Sequence, residues 1–387
     1  MAQVKSLHSC RYFDQKTCLS CTELGSPLLT SRSAKEELLH LALERFTTSR
    51  TIIEPIFGKE PFQSRTRIKM AVGGTESDPS FGFTKDLVVT DISECPLHVR
   101  PTSELLSFLK RIISEFKLTP YDIEKRTGEL KYILLHFTRN SEQSSLRFVL
   151  RSTEAIGRIK KAITLIQSQF KEVSVVSANI QPQPSAVVEG HEEIILTDAS
   201  EIWDTYNDTK ICFTPQSFSQ VNHDIAEALY TSAAKIIARK SPKSIFDLYC
   251  GVGCFSLIAS PHYSWGIGIE INELSIAAAK QSCKQKGIDK LEFKAKDTLE
   301  FLNNYAGETP ELIIVNPPRR GLDEKLCQRI LELSPKYILY SSCNQETLVN
   351  DIERLEGSYQ LAYLKTFDMF PLTRHLETLV LLEKSAE

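Results

Sequence analysis

From Cys212 to the C-terminus, apolar runs of strand length alternate with amphipathic stretches of helix length. AEALYTSAAKIIARK is followed by SIFDL, a short helix after GVG, WGIGIE, ELSIAAAKQSCKQK, LEFKA, ELIIV and YILYS, and the chain closes on YQLAYLKTF and LETLVLLEK. Neighbouring parallel strands cannot be joined by a tight turn and need a crossover helix, so this rhythm predicts an α/β unit: a mostly parallel sheet covered by helices on both faces. Ligands of such sheets enter the crevice at the carboxyl ends of the strands. Only a short loop parts the last two strands, which predicts a hairpin containing one antiparallel strand.

Upstream the pattern is different. Between about 65 and 200, short apolar runs (KYILLHF, LRFVLRS, EVSVVSANI) accompany one strong helical stretch, TSELLSFLKRIISEF, as expected of an α+β domain. Leu38, Leu39, Leu41, Leu43 and Phe46 have helical spacing, and residues 1–29 are rich in Cys, Ser and Thr. Three units follow: 1–100, a cysteine segment and the start of the central domain; 101–210, the central α+β domain; and 211–387, the catalytic domain. With 42% hydrophobic and 25% charged residues, 387 residues suffice for such cores. The net charge of −3 gives no global attraction to a polyanion but leaves room for a local basic face. The first residues lack the apolar core of a secretory signal, and no run reaches membrane-spanning length, so a cytoplasmic protein is expected. Ten cysteines in that compartment are metal ligands, nucleophiles or core residues rather than disulfides.

DLYCGVGCF (247–255) follows a strand and opens a helix, with Gly251 and Gly253 placed for a tight turn. The third glycine of the dinucleotide fingerprint is missing. Glu270 ends the next strand, where a carboxylate can accept from ribose hydroxyls, and Asp297 ends the third, where it can meet an adenine edge or simply cap the following helix. An uncharged-nucleoside loop with two such acids favours S-adenosylmethionine over NAD. The fourth strand ends in NPPRRG, whose prolines hold Asn316 rigidly, and the fifth ends in SSCN, which brings Cys343 to the same crevice. A thiol beside a methyl donor suggests attack at C6 of a pyrimidine, which makes C5 nucleophilic toward a sulfonium methyl. A base must then remove the C5 hydrogen. Glu377, heading the terminal strand, is the candidate, with His375 a weaker one; a plain strand-end carboxylate is the competing reading.

FSQVN, DLYCGVGCF, GIE, NPPRRG, SSCN and DMFPLTRHLET together resemble the uracil-C5 RNA methyltransferases over essentially all of 211–387. The resemblance implies a Rossmann-like class I S-adenosylmethionine methyltransferase domain with a seven-stranded sheet. It implies Cys343 as nucleophile, Glu377 as base, and Gln220, Tyr249, Glu270 and Asn316 as cofactor-binding residues, beside Gly251 and Asp297. Asn316 stands where much of the family has aspartate, and Tyr249 where phenylalanine is common.

Cys10, Cys18, Cys21 and Cys95 suit zinc or a cubane cluster on spacing alone. The resemblance, closest to a branch acting on uridine 747 of 23S rRNA, implies a [4Fe-4S] cluster in a structural role. RNA contact is expected at Arg65, Arg67, Lys69, Lys125, Arg126, Lys131, Arg147 and Arg151, and a monomer without an obligate protein partner is the default. The rivals are another rRNA or tRNA site, an RNA amino-methyltransferase using NPP, against which Arg319 counts because an aromatic residue is expected there, and a non-catalytic RNA-binding protein.

Overall fold

The computed structural model of the protein describes residues 8–139, 142–184 and 187–385. Residues 1–7, part of the N-terminal stretch read as lacking a secretory signal, lie outside these. The N-terminal part contains α1 (Arg11–Asp14), α2 (Leu28–Leu43) and β1 (Ile52–Phe57). The central part runs β2 (Arg67–Gly74), β3 (Pro79–Lys85), β4 (Val88–Asp91), α3 (Thr102–Glu115), β5 (Leu130–Phe137), β6 (Ser144–Leu150), α4 (Ile156–Gln169), β7 (Val173–Ile180) and β8 (Glu192–Ile195). These strands form one seven-stranded sheet, ordered β4-β3-β2-β5-β6-β7-β8. Strand alternation sends Ile68, Met70, Val72, Ile133, Leu135, Leu146 and Phe148 to one face, where they pack under α3 and α4. The opposite face carries Arg67, Lys69, His136 and Arg147.

The hairpin β9 (Ile202–Tyr206) and β10 (Thr209–Phe213) leads into α5 (His223–Lys240), β11 (Ser244–Leu248), α6 (Cys254–Ile258), β12 (Trp265–Glu270), α7 (Glu273–Lys286), β13 (Leu291–Ala295) and α8 (Thr298–Asn304). β14 (Leu312–Val315), α9 (Glu324–Leu333), β15 (Tyr337–Ser342), α10 (Gln345–Leu355), β16 (Tyr359–Phe367) and β17 (Glu377–Lys384) complete the chain. The hairpin's Ile202, Tyr206, Ile211 and Phe213 share a core with α5, α6 and α7.

The catalytic sheet has eight strands, one more than expected, in the order β1-β16-β17-β15-β14-β11-β12-β13. The extra strand is β1, which crosses from the N-terminal part to pair in parallel with β16. As foreseen, β17 is antiparallel, to both β15 and β16. The order reverses between β11 and β14, the point at which an open α/β sheet leaves a crevice for its ligand. There the Asn316 backbone N–H reaches the Leu248 carbonyl at 3.4 Å.

Candidate active site

The glycine loop leaves β11 through backbone conformations that few residues tolerate. Tyr249, Gly251 and Gly253 all have positive φ, at 58°, 55° and 80°. For a tyrosine this is a strained position, of the kind the surrounding structure must impose. The two glycines serve different ends. A β-carbon at Gly251 would meet nothing within 4 Å, so this side of the loop opens into free space; at Gly253 it would lie 2.4 Å from the Phe293 ring. Gly253 is therefore a packing requirement. Glu270 is already joined to the loop, accepting from the Gly251 N–H at 3.2 Å and the Asn272 N–H at 3.0 Å. Asp297 caps α8, accepting from the Glu300 N–H at 2.9 Å. Gln220 is buried in the loop between β10 and α5.

Beneath the loop lies Asp247, an acid that sequence reasoning passed over. It is fully buried; its Oδ2 accepts from the Ser256 hydroxyl at 2.6 Å and the Ser256 N–H at 3.2 Å, while Oδ1 has no partner. Burial lifts its carboxyl to about 7, so near neutrality it holds the loop's base without a full charge beside Glu270.

Across the crevice, two strand ends meet. Cys343 follows β15 and is half-buried just before α10, whose N-cap is Asn344. The register of β15 with β17 pairs Ser342 with Thr378, which brings Glu377 beside the Cys343 end of the strand. Glu377 is 1% exposed and accepts from the Ser341 hydroxyl at 2.6 Å. Among the described residues no cation acts on it, and burial lifts its carboxyl to about 7. Burial and the Glu377 charge push the Cys343 thiol up, while the Arg319 guanidinium, hydrogen-bonded to it, pulls the other way. Arg319 is tied there because its carbonyl accepts from the Asn344 amide at 2.9 Å, which locks the NPPRRG turn to the SSCN turn. A cavity of about 360 Å3 opens over Cys343, walled by Arg319, Gln345, Arg374, His375 and Leu376. Arg319 and Ser341 are functional neighbours the sequence did not assign. Arg319 lies within NPPRRG, whereas a serine on a buried strand carries no signal until its partner is known.

The expected RNA cations do not form one surface. Arg147 is 2% exposed and locked to Glu189 and Glu193. Arg67 is enclosed against the Ser217 carbonyl and the Ser219 hydroxyl, and Lys131 donates to the Gln181 and Gln183 carbonyls at 2.7 and 2.8 Å. Arg151 pairs with Glu129, Lys69 with Glu189 and Lys125 with Asp122. Burial withdraws Arg147 from phosphate, and Arg67 and Lys131 spend donors on the protein's own carbonyls; Arg65 and Arg126 are exposed.

Cys10, Cys18, Cys21 and Cys95 surround one small cavity, walled by Tyr12, Phe13, Leu24, Phe62 and Leu97. Burial and the neighbouring thiols raise Cys21 to about 12 and Cys95 to about 11. Among the described residues, no three His, Cys, Asp or Glu side chains stand close enough to share a single metal ion.

The family model of tRNA (uracil-5-)-methyltransferases matches residues 205–385. Over 380 residues the chain is 39% identical to the 23S rRNA (uracil(747)-C(5))-methyltransferase RlmC of Shewanella loihica, covering 98% of this chain and 100% of that one. RlmC of Shewanella amazonensis is 40% identical over 380 residues, covering 98% of each. The solved tRNA (uracil-54, C5)-methyltransferase of Pyrococcus abyssi, in complex with S-adenosyl-L-homocysteine, shares the fold with a TM-score of 0.77 at 24% identity, over 97% of this chain and 87% of that one.

Proposed function

The chain belongs to the RNA uracil-C5 methyltransferase family, and from that membership we propose that it transfers a methyl group from S-adenosylmethionine to C5 of uridine 747 in 23S rRNA. The observation that carries the chemistry is the meeting of Cys343 with a buried, uncompensated Glu377 on adjacent strand ends. The Cys343 thiolate adds to C6 of the uracil, and the electron pair of the C5–C6 bond moves toward C5 and O4. C5 then takes the methyl group from the sulfonium, leaving S-adenosylhomocysteine. Glu377, as carboxylate, removes the remaining C5 hydrogen, and the electron pair so released expels the thiolate from C6. Arg319 favours the thiolate at the first step. A hydrophobic enclosure suits Glu377 because it raises the basicity of the carboxylate toward neutral pH.

On the donor side, Gly251 and Glu270 frame an open space suited to a nucleoside, and on family membership we assign Gln220, Tyr249, Asp297 and Asn316 to the same cofactor. The four-cysteine cavity suits a [4Fe-4S] cluster by its donor set of four thiols in apolar surroundings, where burial opposes ionisation of Cys21 and Cys95 and bound iron would offset it. When bound, such a cluster would tie the N-terminal segment together; no step of the methyl transfer needs an electron.

The test uses unmodified 23S rRNA tritiated at uracil C5. Cofactor-dependent tritium release by the wild type, abolished in Cys343→Ala, is expected. Methyl incorporation without release would replace this reading with amino-methylation.

A further inference from the structure

The face of the central sheet opposite α3 and α4 leads away from the active site to a slot that the methyl transfer does not use. At one end of this face, Arg67 and His136, paired across β2 and β5, hold the Ser217–Ser219 stretch just before Gln220. Four residues further along β2, about 13 Å at strand rise, Ala71 lies opposite Tyr132 on β5 and Gly82 on β3. Small side chains here leave a floor, and Tyr121, Tyr132, Leu87 and Val89 wall a cavity of about 340 Å3 above it. The Lys131 ammonium lies 4.6 Å from the Tyr121 ring centroid and spends two of its three donors on backbone carbonyls, keeping the third. Ile123 reaches the slot from the 122–127 turn, which also presents the exposed Lys125 and Arg126.

We propose that this slot binds an unstacked nucleobase of the RNA substrate, a second base site beside the one at Cys343. The proposal rests on the RNA reading of the catalytic site. Its physical content is a stacking face on Tyr132, apolar edges from Leu87 and Val89, and cations at the mouth for the sugar-phosphate strand, the combination that holds single-stranded nucleic acid. The slot lies about 13 Å along β2 from the Arg67–His136 clamp that holds the stretch before Gln220, so the strand it holds runs with its bases unstacked along this face of the sheet.

The experiment uses the full-length protein and a 23S rRNA hairpin carrying single abasic substitutions at each nucleotide around the target. Binding is read by fluorescence anisotropy and methyl transfer by KM and kcat. Tyr132→Ala removes the stacking face, and Thr84→Trp fills the slot from its exposed rim; thermal melts check that both fold. We expect one abasic position outside the target to weaken wild-type binding about ten-fold, each substitution to raise KM by a similar factor with kcat retained, and the abasic penalty to vanish in both variants. Unchanged affinity and an unchanged abasic profile in both folded variants would overturn the proposal. Loss of methyl transfer by the wild type would overturn the catalytic reading instead, because anisotropy reports on the slot without turnover.

Discussion

A carboxyl group buried without a cation is destabilising when ionised, and Glu377 keeps that penalty at the strand end beside Cys343. Its folded-state value of about 7 lies above the usual carboxylate range, so its favourable contribution to stability is complete below about 4.5 and is lost as pH rises through 7. Glu377→Gln should therefore match the wild type near pH 4 and exceed it by up to about 3 kcal/mol at pH 8, read from urea unfolding at the two pH values. The same variant should stall after methyl transfer, leaving RNA covalently held on Cys343 as a band resistant to denaturing gels. A more stable protein that still turns over would contradict the assignment. Ser341 shows the converse: its hydroxyl favours the ionised carboxylate, so Ser341→Ala should move the acidic limb of the kcat profile to higher pH while leaving the fold intact. Of these residues, Cys343 and Glu377 could be nominated from the sequence because each sits in a recognisable motif at a strand end. Ser341, Arg319 and Asp247 were not, because their roles depend on which side chain lies across the sheet or under the loop.

At the level of elements, the N-terminal part is built into the catalytic rim. α2 lays Lys35 and Arg32 against Asp368, at 2.7 and 2.8 Å, with Asp368 almost wholly buried. The cysteine segment adds a backbone bond from the Glu23 N–H to the Leu372 carbonyl, and Glu23 accepts from Arg374 at 3.2 Å. The loop gripped this way, 368–376, ends at Glu377 and supplies Arg374 and His375 to the cavity over Cys343. Breaking one partner of a buried ion cluster leaves charge uncompensated and costs about 3 kcal/mol or more. Lys35→Met should accordingly lower stability by about that amount and reduce kcat, while S-adenosylmethionine binding, measured by calorimetry, stays close to wild type because the glycine loop lies on other strands. Cys18→Ser should remove the brown absorbance of the anaerobically purified protein and expose the 8–24 segment to protease; colourless wild-type protein containing zinc would refute the cluster. The alternation of helix and strand made seven of the eight catalytic strands readable. β1 was not readable, because a strand at the far end of the chain joins the sheet through pairing with β16, and no local pattern records a partner some 300 residues away.

For the whole molecule, the decisive contact is the joint between the central sheet and the loop before α5. Arg67 and His136 meet Ser217 and Ser219 there, the Thr66 N–H donates to the Val221 carbonyl at 2.9 Å, and Arg139 spans to Asp224 and Glu227. This explains why the expected RNA cations do not form one basic face. A sequence displays charges but not their partners, and Arg67, Lys131 and Arg147 turn inward to fasten the sheet and its neighbours. His136 makes the joint sensitive to acid. It is buried with Arg67 nearby, which depresses its imidazole to about 3 from the usual 6.5, so it stays neutral in the fold. The sign follows: the unfolded chain takes up the proton first, and the stabilisation present above 6.5 is lost as pH falls toward 3, at about 1.4 kcal/mol per pH unit. His136→Asn removes this titration. Its stability, measured by denaturant unfolding between pH 4.5 and 7, should fall less steeply on acidification than that of the wild type, by about that slope. A parallel pair of curves would mean that His136 is hydrated and that the joint does not depend on its neutrality. Because Gln220 follows directly on the clamped stretch, acid loosening of the joint should also reach the cofactor crevice, seen as weaker S-adenosylmethionine binding in the wild type at pH 5 that Glu377→Gln does not relieve.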